Sequence, residues 1–361
     1  MTLTNFRKET SERSDVHNWA KDILKTNTEF YFESIEGCNQ NANHLVTHLF
    51  ERARVDYVLD GEQSIQQIAE QIIHLEGVDS LQRKINFAQR FGILLSYVLY
   101  CDENEKLFLF HFTSIDMIQL HRVFNNYKEF ADWIAGIKGW RSHKPFRETT
   151  DLPHFDRRLR QEGTPWPTNI DCFICDHSNH PVAILEFQNA DKVGVVYHCN
   201  NDYFLCKMTG TDQWGRTTYH DDIRRWTSQE IIRVQSSLRF FIISWATTEN
   251  DFTLKEVDKI TIPYFQKLSN GQMDWAHQNQ YKAALNRFSN TRPRNVEFAH
   301  IIANTYMTFN LSYNNSVMTE TVNTPPLHTK NQTFPYIYYR FKQTIKGNRI
   351  QLAELFTKLI T

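Results

Sequence analysis

Ile65, Ile68, Ala69, Ile72 and Ile73 recur at three- and four-residue spacing behind Ser64, which predicts an amphipathic helix capped by that serine. The period then changes. Gly92–Tyr100 is dense in β-branched and aromatic residues, Asp102-Glu103-Asn104 makes a turn, and KLFLFHF over Lys106–Phe112 supplies a partner strand. Helical spacing is read again over Ile115–Phe124 and Tyr127–Ile137. The middle of the chain predicts two short strands, Ile170–Asp176 and Val182–Gln188, around the turn-forming run His177-Ser178-Asn179-His180-Pro181. A helix is expected after Thr227, which with Glu230 fits a capping box, its apolar face being Ile231, Val234 and Leu238. The strands Phe240–Trp245 and Lys259–Ile262 follow. Trp275–Phe288 and Val296–Phe309 read as helices, then comes a polar loop to about 334 and a last helix near Arg349–Leu359. No internal repeat or low-complexity tract is apparent.

These patterns predict an α/β protein: a mixed-sheet core flanked by helices, with largely helical N- and C-terminal regions. A segment with Gly139 and Pro145 marks a boundary. The expected division is 1–140, mostly helical with one β-hairpin and a recognition or partner role, then 141–268, the core, then 269–361, helical and packed on it.

Composition narrows the classes. Lys and Arg number 40 and Asp and Glu 41, for a net charge of −1, so bulk charge does not argue for nucleic acid and any such footprint must be local. Residues 138–160 hold Lys138, Arg141, Lys144, Arg147, Arg157, Arg158 and Arg160 against Glu148, Asp151 and Asp156. Lys282, Arg287, Arg292 and Arg294 form a second basic strip, for which a solvated helix end is the plainer reading. The longest apolar runs are too short to span a bilayer, and no apolar segment follows the polar residues Met1 to Arg13, so neither a membrane span nor a signal peptide is expected. Six cysteines in 361 residues do not read as a disulfide framework, which suggests a reducing cytoplasm.

Chemistry concentrates on the central hairpin. If Asp176 faces Pro181 across the turn, Asp171 stands opposite Glu186 and Asn169 opposite Gln188. Strand alternation puts 169 and 171 on one face and 186 and 188 on one face. Opposed carboxylates repel unless a cation lies between them, and a hard ion such as Mg²⁺ (or Mn²⁺) accepts one or two carboxylates. Asp171, fourteen intervening residues, then Glu186-Phe187-Gln188 on an apolar strand, preceded by GTPWPTNID over Gly163–Asp171, resembles the PD-(D/E)xK nuclease motif. The resemblance covers roughly residues 150–265.

That resemblance implies a restriction-endonuclease-like αβββαβ core and Mg²⁺- or Mn²⁺-dependent hydrolysis of DNA phosphodiester bonds, of restriction or mobile-element type. It makes Asp171 and Glu186 metal ligands, and Gln188 the occupant of the usual lysine position, where the side chain orients the attacking water. Glutamine carries no charge and cannot act as a base, although some enzymes of this family use Glu-x-Gln. Lys192 could replace the amine only if the backbone bends, and Asp156 and Glu162 are candidate acids from the preceding helix. Lys144, Arg147, Arg157, Arg158, Arg160, Arg292 and Arg294 are the expected phosphate contacts, with DNA as partner, RNA as the alternative and a homo-oligomer allowed. The competing readings are a non-catalytic nucleic-acid-binding or assembly protein on the same fold, and an interaction protein without a nucleic-acid role. Cys172 and Cys175, with His177, His180, His198 and Cys199, carry zinc-ligand chemistry. Cysteines three apart on a strand point to opposite faces, however, and buried free thiols are favoured.

Overall fold

The computed structural model describes residues 6–9, 18–41, 45–56, 64–139, 141, 152–191, 194–195, 206–211, 217–221, 223–261, 312–314, 317–319, 327–329, 332–334 and 338–361. They form an α/β protein with a large mixed sheet. In chain order the described elements begin with β1 (Phe6–Arg7), α1 (Trp19–Asn27), β2 (Tyr31–Gln40), β3 (Val46–Val55), α2 (Ile65–Glu76), α3 (Val78–Gln89), β4 (Leu95–Tyr100), β5 (Leu107–Ser114) and β6 (Met117–Phe124). Next come α4 (Tyr127–Lys138), α5 (His154–Gln161), β7 (Thr168–Cys175), β8 (Pro181–Asn189), β9 (Cys206–Thr211), β10 (Thr217–Asp221), α6 (Ile223–Ser236), β11 (Arg239–Trp245) and β12 (Asp251–Thr261). The short strands β13 (Ser312–Asn314), β14 (Val317–Thr319), β15 (Leu327–Thr329) and β16 (Gln332–Phe334) precede β17 (Tyr338–Asn348), and α7 (Leu352–Ile360) ends the chain after a 3₁₀ turn.

Two compact units result. One holds residues 29–184 and 231–238 with the N-terminal strand, and the other holds 18–28, 185–230 and 239–361. In the first the strand order is β8-β7-β2-β3-β4-β5-β6, with β1 also on β3. The β3–β4 pair is parallel because α2 and α3 carry the crossover, and the other pairs with a defined register are antiparallel. Phe50, Val98, Tyr100, Leu107, Leu109 and Phe124 pack on one face with α4 and α5, through Phe130, Ile134, Phe155 and Leu159. Phe87 of α3 stacks on Phe173 of β7, ring centres 4.1 Å apart. Aromatic pairs of this kind add about 0.5–1.5 kcal/mol each beyond burial.

In the second unit the order is β13-β14-β17-β12-β11. Helix α1 packs beside α7 here. Trp19 anchors it: its indole N–H donates to the Ala246 carbonyl at 2.6 Å, its ring meets Trp245 edge-on at 6.3 Å, and the Arg349 guanidinium lies 4.6 Å over it.

Several expected elements differ. The N-terminal region is not mostly helical: β2 and β3 are ten-residue strands, and 117–124 is the strand β6 rather than a helix. Residues Met117–Val123 of β6 are exposed or half-exposed, so the run MIQLHRVF has a pattern that fits either state, and pairing with β5 decides it. Helix α6 starts at Ile223, so Thr227 lies inside it and not at its N-cap position, and Val234 is exposed. The polar segment before 334 contains short strands, and Tyr338–Asn348 forms a full ladder with β12. The last helix is as expected, while the helices expected over 275–288 and 296–309 fall outside the described residues.

The backbone also repeats where the residue pattern showed no repeat. Cys38↔Leu49 and Asn39↔His48 pair in the β2–β3 hairpin, and Phe173↔Ile184 and Ile174↔Ala183 pair in β7–β8. The shift is 135 residues (173 minus 38, and 184 minus 49). The register slips at the same place in both, giving Gln40↔Val46 and Cys175↔Pro181. Helices α1 and α5 begin at Trp19 and His154, separated by the same shift. Among the described elements each half then continues to a helix (α3, α6), an antiparallel strand pair (β4–β5, β11–β12), a strand paired to it (β6, β17) and a helix (α4, α7), with α2 added in the first half and β9–β10 and β13–β16 in the second. Over residues 19–55 and their counterparts, only Leu24/Leu159, Ile35/Ile170 and Glu51/Glu186 are identical. Equivalent packing tolerates many apolar choices, so the pattern leaves almost no identity to read.

Candidate functional site

Strand β8 carries Glu186 among apolar neighbours, and the carboxylate is buried, with the residue 1% exposed. A buried carboxylate is costly without hydrogen bonds or countercharge. Gln188, two residues along the same face, donates its amide to Glu186 Oε1 at 3.0 Å. Gln229 of α6 donates to Oε2 at 3.4 Å. Gln229 is itself only 2% exposed, and its Oε1 is buried without a hydrogen-bond partner among the described residues. A carbonyl-type oxygen left this way beside a carboxylate suits a hard cation or a bound water. Sequence reasoning passes over Gln229 because the face expected to be buried ran through Val234, which is exposed, whereas the buried face holds Ser228, Gln229, Ile231 and Ile232.

Strand β7 carries Asp171 half-buried, and Asn169, two residues earlier, donates to its Oδ1 at 2.5 Å. The expected turn forms with one correction. Pro181 pairs with Cys175 rather than with Asp176. Asp176 instead folds the turn, its Oδ1 accepting from Ser178 N (2.9 Å) and His180 N (2.8 Å), while Asn179 takes a positive φ of 63°. Next along the hairpin, Ile174 pairs with Ala183 and Phe173 with Ile184.

The basic stretch is less available than its count suggests. The ammonium of Lys138 turns inward and donates to the Pro165 carbonyl at 2.9 Å, and burial lowers its pKa to about 8. Arg141 pairs with Asp132, and Arg158 with Glu105, its guanidinium lying over the Tyr127 ring. Arg157 is half-buried on α5 and Arg160 exposed. Lys144, Arg147, Arg292, Arg294 and Lys192 lie outside the described residues. Of the candidate helix acids, Asp156 is committed to Arg52, accepting two hydrogen bonds at 3.2 and 2.8 Å.

Cys172 and Cys175 are buried and outside any disulfide, and burial pushes the Cys175 thiol up to about 12, away from the thiolate a metal needs. Among the described residues no group of three or more His, Cys, Asp or Glu side chains is gathered as a metal site, and no described helix is long and apolar enough to cross a membrane. Comparison with protein-family models, with curated proteins and with solved structures gives no match.

Proposed function

We propose that this chain hydrolyses DNA phosphodiester bonds with the help of Mg²⁺ or Mn²⁺, on a nuclease-like core centred on Asp171, Glu186 and Gln188. The observation that carries the reading is the buried Glu186 carboxylate, oriented by two amides, beside the orphaned Oε1 of Gln229. That donor set, all hard oxygen, fits a small divalent ion and not a soft metal. Asp171 and Glu186 would hold the ion. When bound, it supplies Lewis-acid polarisation of the phosphate and a lowered pKa for water. Gln188 keeps Glu186 in one rotamer, which matters because a loosely held ligand forfeits positioning. Gln229 offers a further oxygen on the α6 side. Arg157 and Arg160, with Lys144, Arg147, Arg292 and Arg294, are the proposed backbone-phosphate contacts, with Arg158 contributing on release from Glu105. Their attraction falls with salt.

Incubation of supercoiled plasmid with the protein and Mg²⁺ or Mn²⁺ tests the reading. Cleavage that chelator, Asp171→Ala and Glu186→Gln each abolish supports it. Salt-sensitive DNA binding without cleavage selects instead a non-catalytic nucleic-acid-binding protein on the same fold. The observation that favours this second reading is that Gln188, neutral where an amine is usual, already spends its amide on Glu186.

A further inference from the structure

The repeated hairpin register gives Asp171 and Glu186 counterparts in the first half. The shift that carries Cys38↔Leu49 onto Phe173↔Ile184 carries Glu36 onto Asp171 and Glu51 onto Glu186. Both pairs have fourteen residues between the acids, and an isoleucine precedes the first acid of each. In the first half the two carboxylates meet at one cation. The ammonium of Lys8 lies 2.6 Å from Glu36 Oε1 and 2.6 Å from Glu51 Oε2. It also lies 2.5 Å from Glu76 Oε1.

We propose that the chain is an internal duplication, and that in its N-terminal copy the ammonium of Lys8 is a tethered cation occupying a divalent-cation position between Glu36 and Glu51. The equivalence of this position to a metal site rests on the function proposed for Asp171 and Glu186.

The surroundings are built for a fixed positive charge. Glu51 is 1% exposed, and the backbone N–H of Glu36 donates to its Oε1 at 3.2 Å. The crossover helix of each half reaches the second acid: Lys84 Nζ of α3 stands 2.9 Å from Glu51, where Gln229 of α6 approaches Glu186. Lys84 also pairs with Glu76 at 2.7 Å, and the Tyr97 hydroxyl donates to Glu76 at 2.8 Å. Arg52 bridges Glu36 at 3.0 Å and Asp156 at 2.8 Å. Burial works against charge on Lys8, but Glu51 and its acidic neighbours outweigh it and hold the ammonium well above the ordinary lysine range. Three cations thus face four carboxylates, Glu36, Glu51, Glu76 and Asp156. Removing Lys8 alone leaves two cations against these four carboxylates, a formal excess of two negative charges, which one divalent ion cancels. Uncompensated buried charge of this size is strongly unfavourable, so the vacated position attracts a cation.

The experiment counts Mn²⁺ bound per chain by electron paramagnetic resonance, using the full chain with Asp171→Ala in every sample. With that background the count does not depend on the C-terminal pair. Adding Lys8→Met is expected to add one Mn²⁺ per chain, and adding Glu51→Gln as well should remove it. If the Lys8→Met protein is unfolded in chelator, Mn²⁺ is expected to restore its far-ultraviolet dichroism. A folded Lys8→Met protein that binds no additional Mn²⁺, an additional ion indifferent to Glu51→Gln, or an unfolded protein that Mn²⁺ does not rescue each overturns the proposal. Loss of plasmid cleavage chemistry at Asp171 would leave this count untouched, so the two ideas fail separately.

Discussion

Ile35 of β2 and Ile170 of β7 face each other as a Cα pair in the antiparallel ladder, and each is followed by an acid. They are also counterparts under the 135-residue shift (170 minus 35), so the ladder pairs an element with its own repeat. The neighbouring pairs obey the same rule: Glu33↔Phe173 becomes Cys38↔Thr168 when the two halves are exchanged. Both isoleucines are fully buried. Truncating either to alanine is expected to cost about 2–5 kcal/mol by transfer and cavity terms. Because they share one contact, the double substitution should fall short of the sum, by more than about 0.5 kcal/mol. Urea unfolding of the four proteins of the cycle measures this, and strict additivity would contradict the pairing.

Gln188→Ala removes an orienting hydrogen bond to a carboxylate, an interaction worth about 1.5–3 kcal/mol. If the proposed hydrolysis is the activity, plasmid cleavage should slow roughly ten- to a hundredfold, with folding unchanged, since Gln188 lies half-buried near the end of its strand. Gln229→Leu removes the orphaned oxygen as well as a donor, so it is expected to lower Mn²⁺ affinity while an apolar side chain still fills the space. A titration showing unchanged affinity would remove Gln229 from the site.

Lys138 produces a pH signature. Burial lowers its folded pKa to about 8, whereas the unfolded chain retains the proton to roughly 10.4. Between those values the unfolded state binds more protons, so this group makes stability rise with pH, by up to about 1.4 kcal/mol per unit. Below about pH 8 the contribution is flat. Denaturant midpoints of the native protein and of Lys138→Met, compared from pH 7.5 to 10, should converge on different slopes, the variant lacking the rise.

At acid pH the sign is set by two histidines. Burial, with His111 and His121 nearby, lowers the His48 pKa to about 4, and burial followed by His121 lowers that of His111 to about 4. The His111 and His121 rings stack at 4.2 Å, which disfavours charging His111. As pH falls from about 6.5 the unfolded chain takes up protons that the folded chain refuses. Stability contributed by the neutral rings is therefore lost between about pH 6.5 and 4. His48 stacks on Phe50 at 5.4 Å, and His48→Phe is expected to flatten part of that acid loss in urea unfolding at pH 7, 5.5 and 4.5.

Gly347 tests the packing of the second unit. A methyl at its Cβ would stand 2.9 Å from the side chains of Leu355 and Phe252. Gly347→Ala is expected to destabilise by about 1–3 kcal/mol through overpacking, read as a lowered midpoint in thermal or urea unfolding.

Local pattern alone determined much of this protein. The α/β class, the β4–β5 and β7–β8 hairpins, the Ser64 cap with its reciprocal Gln67 bond and the final helix all follow from short-range spacing and turn chemistry. So did the grouping of Asn169 with Asp171 and of Glu186 with Gln188, because strand alternation is a property of the backbone. The tertiary structure decided what the pattern leaves degenerate. MIQLHRVF is a strand because β5 offers it an edge, Lys138 and Arg158 leave the basic run because an acceptor or acid lies within reach, and Lys8 finds Glu36 and Glu51 across long separations in sequence. The repeat of the hairpin belongs to the same class. Backbone register is set by hydrogen bonds that every residue can make, so it survives where side-chain identity has been lost, and only paired strands display it.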